Sequence, residues 1–153
     1  ESFDKEFVLP LYDLEEDLMV LPEDTDADTD MVMDAGRWAK VIEELSMIGS
    51  VANVECSAEA TILRAEDREQ GVKMATTIGL ADVESYDACD EGFTVSYALH
   101  YIQKAAMVRR AVCLGPAPTV AVHISEERPL ELAFSLGEGS RARFLLAPRI
   151  DEA

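Results

Sequence analysis

The side chains in this chain that could hold a metal, move a proton or attack an electrophile are 31 carboxylates, two histidines and three cysteines. Their spacing decides which of these reactions is open. Asp24, Asp26, Asp28 and Asp30 alternate as the ligands of a calcium loop do. However, a loop begun at Asp24 has Thr29 where the sharp turn needs glycine and Ala35 where a bidentate glutamate should close it. Begun at Asp26, the same positions fall on Met31 and Arg37, so the pattern excludes an EF-hand. Cys56, Cys89 and Cys113 form no CxxC pair and no zinc-type spacing with histidine, and an odd set of thiols suits a reducing compartment. His123 alternates within a strand pattern and reads as structural. His100 sits on a polar helical face with no sequence-near cysteine or carboxylate partner. Gly137-Glu-Gly139-Ser-Arg-Ala142 has the look of a dinucleotide fingerprint, but it joins two strands instead of opening a helix, so it reads as a turn. No GxSxG, HExxH or P-loop occurs. The residues therefore predict no catalytic group, no metal site and no cofactor.

A chain of 153 residues that is 48% hydrophobic and 29% charged can fill one core without staples. The apolar stretch Phe7–Leu11 holds a proline and meets acids at once, so neither a signal peptide nor a membrane span is expected. Residues 2–11 read as a strand, and 12–25 as an extended acidic connector with a few apolar points. From there an order of elements is written twice. The first pass is a strand at 27–34, a helix at 35–48 capped by Asp34 and stopped by Gly49, and strands at 50–57, 60–66 and 71–78. An acidic loop, 79–91, leads to the second pass. This has a strand at 92–96, a helix at 97–107 with Ser96 as cap, and strands at 118–125, 129–136 and 140–147 after the loop Leu114–Pro118. The pattern is a duplicated β-α-β-β-β, an α+β class in which two helices cover one face of a continuous antiparallel sheet.

Helical spacing assigns the faces. In the first helix Trp38, Val41, Ile42, Leu45 and Ile48 form the core stripe, with Arg37, Lys40 and Glu44 opposite. In the second, Ala98, Tyr101, Ile102 and Ala105 form the apolar stripe, and His100, Gln103, Lys104 and Met107 face away. Residues 1–34 hold thirteen acids and one lysine, which accounts for −12 of the net −18. Two helices showing water a partly basic stripe are thus the unusual feature of an otherwise acidic chain.

Four stretches carry a family likeness. Leu11-Tyr-Asp-Leu-Glu-Glu-Asp-Leu-Met-Val-Leu-Pro-Glu23 resembles the interdomain connector of the eukaryotic sliding clamps, the proliferating cell nuclear antigen family. Glu44-Leu-Ser-Met-Ile-Gly49 and Tyr97-Ala-Leu-His-Tyr-Ile102 resemble segments of the two helices in the second domain of such a clamp. Phe144-Leu-Leu-Ala-Pro-Arg-Ile-Asp-Glu152 resembles its terminal signature. In order and spacing the likeness covers about residues 3–153. It implies a C-terminal clamp domain over 26–153, preceded in 1–25 by the last strand of a first domain and the connector.

What the resemblance implies for function is a non-enzymatic processivity factor in the nucleus. Such factors close into rings (trimers for the full-length protomer), encircle duplex DNA without reading sequence, and serve replication and repair. Their partners are a clamp loader and the clamp-binding peptides of polymerases, nucleases and ligases; no membrane is involved. By this likeness Lys40 and His100 match DNA-facing positions, and Arg37 and Lys104 share their faces by helical spacing. Glu43 stands where the family tends to have a base. The partner-peptide pocket maps onto Met19, Leu21, Pro22, Pro129, Leu145, Leu146, Ala147 and Pro148, with Leu145 replacing a family tyrosine. Two other readings are a damage-checkpoint clamp subunit of the same fold and an acidic DNA-mimic inhibitor. The mimic would need acids where Arg37, Lys40 and Lys104 stand.

Overall fold

The structure, a computed structural model, describes residues 27–108 and 118–150. The expected strand at 2–11 and the connector lie outside the described residues. Strand β1 (Thr29–Asp34) runs directly into helix α1 (Ala35–Ile48), followed by β2 (Val51–Cys56), β3 (Ala60–Asp67) and β4 (Val72–Gly79). A single 3-10 turn, Leu80–Asp82, precedes a short strand β5 (Ser85–Ala88). The second pass is β6 (Phe93–Ala98), α2 (Leu99–Ala106), β7 (Thr119–Ile124), β8 (Leu130–Gly137) and β9 (Ser140–Leu146). The doubled order holds, with β5 added between its two halves.

Helix α1 has the predicted bounds. The Asp34 carboxylate accepts the Arg37 N–H at 2.7 Å, and the Gly49 N–H closes the last turn on Leu45 O at 3.1 Å. Trp38, Ile42 and Leu45 are buried, each worth roughly 1.5–3 kcal/mol of transfer free energy. Helix α2 starts later than expected. Tyr97 and Ala98 remain in β6, paired with Ala52 and Val51, because extending the ladder satisfies their backbone before a helix could. Ser96 is accordingly no cap; its hydroxyl donates to Asn53 Oδ1 at 2.7 Å. The buried stripe is Leu99, Ile102, Ala105 and Ala106, and Tyr101, expected on it, is instead 57% exposed.

The pairing also differs from one continuous sheet. The described strands form a five-stranded sheet, β5-β1-β7-β8-β9, and a four-stranded sheet, β4-β3-β2-β6, with every pair antiparallel. The reason is an exchange between the two halves. β1 pairs with β7, and β6 pairs with β2, so each half's first strand completes the other half's three-stranded meander. The helices repeat the exchange. The first N–H of α1 donates to Pro118 O at 2.9 Å, just ahead of β7, and the first N–H of α2 donates to Ser50 O at 3.0 Å, just ahead of β2. Sequence periodicity gives strands and faces but not this crossing, which a continuous sheet would lack.

One core fills the interior. Helix α1 packs along α2 and reaches both sheets, touching β3 and β4 of one and β1 and β7 of the other. Helix α2 similarly reaches β6 and β9. The two helices therefore lie side by side and join the sheets through Trp38, Ile42, Leu45, Leu99 and Ile102. At the far margin, Arg149 N–H donates to Ser96 O at 2.7 Å, tying the segment after β9 to β6. Tyr86 of β5 crosses the other seam, donating to Ser57 O at 2.7 Å. The Gly137–Gly139 turn, with φ of 83°, 53° and 78° at its three residues, is a hairpin turn as read from the sequence.

Candidate functional site

The outward sides of α1 and α2 bring the expected basic residues to one surface. Lys40, His100 and Lys104 are exposed, and Gln103 and Met107 stand beside them, as the spacing predicted. Between the helices runs an open groove of about 300 Å³, lined by Gly36, Ala39, Lys40, Glu43, Gln103 and Met107. Small residues at 36 and 39 let the helices approach and leave this cleft. The Lys40 side chain is 77% exposed, and its Nζ lies 3.9 Å from Glu44, one turn on. An exposed pair at that distance holds its cation loosely. His100 meets Tyr101 edge to face, with ring centroids 5.4 Å apart. Lys104 has no ion-pair partner among the described residues, and as a cation in the last turn of α2 it complements the helix dipole.

Arg37 is placed differently. Its two guanidinium nitrogens donate to Asp82 O at 3.0 Å and Asp82 Oδ1 at 3.1 Å, so the side chain is strapped to the turn after β4. Asp82 is itself fixed, because its Oδ2 accepts the Gly79 N–H at 3.1 Å. That backbone donor first, and Arg37 second, hold the Asp82 carboxyl below the usual carboxylate range. Sequence reasoning placed Asp82 in an acidic loop and missed it. The partners are 45 positions apart, and no local spacing signals the contact.

The residues assigned to the peptide pocket divide. Met19, Leu21 and Pro22 lie outside the described residues. The others gather at one end of the β8–β9 hairpin, where Leu130 pairs with Leu146 and so brings exposed Pro129 to the level of Ala147 and half-buried Pro148. Leu145 and Leu146 also border an apolar recess of about 260 Å³ between α2 and β9, with Tyr101, Ile102 and Phe144. Among the described residues no cluster of three or more histidine, cysteine or acidic side chains could hold a metal. His123 bonds Asp30 across the β1–β7 pair, consistent with a structural role.

Two exchanged β-α-β-β-β halves with paired helices turned to solvent define a clamp-type domain, a class built to present a surface. Residues 22–149 match the family model described as "Proliferating cell nuclear antigen, C-terminal domain", and the chain belongs to that family. Among curated relatives, the "DNA polymerase sliding clamp" of Pyrococcus horikoshii is 28% identical over 149 residues, and that of Pyrococcus furiosus 27% over 150. Each alignment covers 95% of this chain and 56% of the relative, so the chain spans about half the length of these relatives. Two solved structures share the fold. One is the proliferating cellular nuclear antigen of Entamoeba histolytica (TM-score 0.74, 21% identity, 93% of this chain and 54% of that one). The other is "C-terminal region of FEN-1 bound to A. fulgidus PCNA" (TM-score 0.75, 17% identity, 90% of this chain and 53% of that one). The family is one of sliding clamps and not of enzymes.

Proposed function

We propose that the chain is the C-terminal part of a DNA sliding clamp that encircles duplex DNA together with other clamp domains and recruits replication and repair proteins. The observation that carries this reading is the side-by-side packing of α1 and α2 with Lys40, His100 and Lys104 on their exposed sides. A flat pair of helices bearing scattered cations suits phosphate contacts that ignore base sequence. The same cations disfavour an acidic DNA mimic. A net charge of −18 is compatible with DNA, since screening confines each acid's influence to about 8 Å at physiological ionic strength. Pro129, Leu145, Leu146, Ala147 and Pro148, with Met19, Leu21 and Pro22 of the connector, are the proposed seat of partner peptides from polymerases, nucleases and ligases. The family membership and the FEN-1 segment on a structural relative support that assignment. Ring closure, a trimer of full-length protomers, engagement by a clamp loader, and action in the nucleus of a eukaryotic cell belong to the same proposal.

The test is duplex binding by fluorescence anisotropy across a salt series with the wild-type chain and Lys40→Glu. Losing one phosphate contact should flatten the log–log salt slope by about 0.9, or roughly three- to four-fold in affinity between 50 and 200 mM salt. Superimposable curves would remove Lys40 from the DNA surface.

A further inference from the structure

We propose that Asp82 is a built-in competitor for phosphate: it holds the Arg37 guanidinium away from DNA and so keeps the affinity of the α1 surface low. The proposal deepens the DNA-clamp reading and rests on it. Three features of the geometry carry it. First, Arg37 donates to two oxygens of one residue, Asp82 O and Asp82 Oδ1, at 3.0 and 3.1 Å, which is the forked recognition it would give a phosphate. Second, Asp82 does not depend on Arg37 for its position, because Gly79 N–H holds the other carboxylate oxygen at 3.1 Å. If Arg37 swings to a phosphate, Asp82 stays in place and satisfied, so the exchange is reversible. Third, both side chains remain substantially open, 59% for Arg37 and 43% for Asp82, so a strand of DNA can reach the pair without unfolding anything.

Arg37 thus differs in kind from its neighbours on the same surface. Lys40 has only a loose contact with Glu44 at 3.9 Å, and Lys104 has no ion-pair partner among the described residues. These two would supply the resting contacts, and Arg37 would join only where a phosphate outbids a fixed carboxylate. A ring that must slide gains from cations that let go, since long-lived contacts would brake it. Asp82 closes the 3-10 turn that follows β4, an edge strand among the described residues, so the same strap also links the helix surface to that turn.

The test uses the full chain, a 30-base-pair duplex and four proteins: wild type, Asp82→Asn, Arg37→Gln and the double variant. Asparagine keeps an oxygen for the Gly79 N–H, and circular dichroism checks that each variant is folded. Asp82→Asn should tighten binding roughly two- to five-fold at low salt, the scale of one exposed ion pair, and steepen the salt slope by about 0.9. With Arg37→Gln already in place, the same change should have little effect. Equal tightening in both backgrounds would mean simple loss of repulsion and would overturn the proposal, as would no tightening in either. Salt-sensitive binding by the wild-type chain with an inert Asp82→Asn would remove the competitor while leaving the DNA reading intact. Absence of binding by every variant would remove both.

Discussion

Gly49→Ala is the substitution whose effect the coordinates define best, and it acts on the helix that carries Lys40. Gly49 ends α1 at φ −151°, an extended conformation open to any residue, so backbone preference does not require glycine there. Space does. A Cβ at Gly49 would lie 2.7 Å from Glu66 O, 3.3 Å from Glu66 N and 3.4 Å from Glu66 C. The obstacle is main chain held in the ladder, since Glu66 pairs with Lys73 between β3 and β4 and cannot rotate aside. Either the β3–β4 ladder or the end of α1 must shift. Overpacking of this kind costs about 1–3 kcal/mol, and the entropy that alanine removes from the unfolded chain returns roughly 0.4–1 kcal/mol. A net loss of about 1–2 kcal/mol should lower Tm by roughly 2–8 °C for a domain of this size. Trp38 is the single tryptophan and is buried, so its fluorescence alongside far-ultraviolet circular dichroism follows the transition. Gly71→Ala serves as a contrast. It meets nothing within 4 Å but has φ +69°, so it should cost about 1 kcal/mol through the left-handed backbone alone. A Gly49→Ala protein as stable as wild type would refute the close approach of α1 to β3.

Two further outcomes follow from the buried interior. Tyr97 is fully buried, its hydroxyl has no partner among the described residues, and burial first and Cys56 second push its pKa up. Tyr97→Phe should therefore raise stability by about 1 kcal/mol in thermal unfolding, and a loss of stability would show the hydroxyl to be satisfied. Cys56 is buried, with its thiol pKa raised chiefly by that burial, whereas Cys89 is exposed. Peptide mapping after brief alkylation at pH 8 should find Cys89 labelled and Cys56 labelled only after unfolding; prompt labelling of Cys56 in the folded chain would contradict its placement.

Helix α1 was legible to the residue, because Asp34, the Trp38–Ile42–Leu45 stripe and Gly49 all state the same boundaries. Helix α2 was less so. Tyr97-Ala98 is apolar enough to read as the first turn, and only the ladder to β2 shows it to be strand. Strand β5 reads as loop from sequence, because its four residues Ser-Tyr-Asp-Ala carry one apolar anchor, Tyr86, whose partners are Ser57 and Thr61 far away in the chain. Of the site, Lys40, His100, Gln103, Lys104 and Met107 were placed on the solvent side by periodicity alone. Arg37 was assigned to the same side correctly, but its engagement with Asp82 was invisible, since periodicity reports direction and not partner.

The exchange of β1 and β6 between the halves bears on the DNA contact proposed above. Without it each helix would sit on its own four-stranded unit, and only the packing of α1 against α2 would fix the distance between Lys40 and Lys104. With it, each helix start is docked by a main-chain hydrogen bond ahead of the other half's strand, Ala35 to Pro118 and Leu99 to Ser50. The spacing of the two basic surfaces is then set by backbone, which is stiff, and not by long side chains, which are not. A phosphate-facing surface needs that rigidity only in its framework. The cations on it can remain loosely held, as Lys40 is by Glu44 at 3.9 Å. Rigid spacing with soft contacts is the combination that lets a protein stay on DNA without binding any one place on it, and sequence-neutral phosphate contacts supply the soft part.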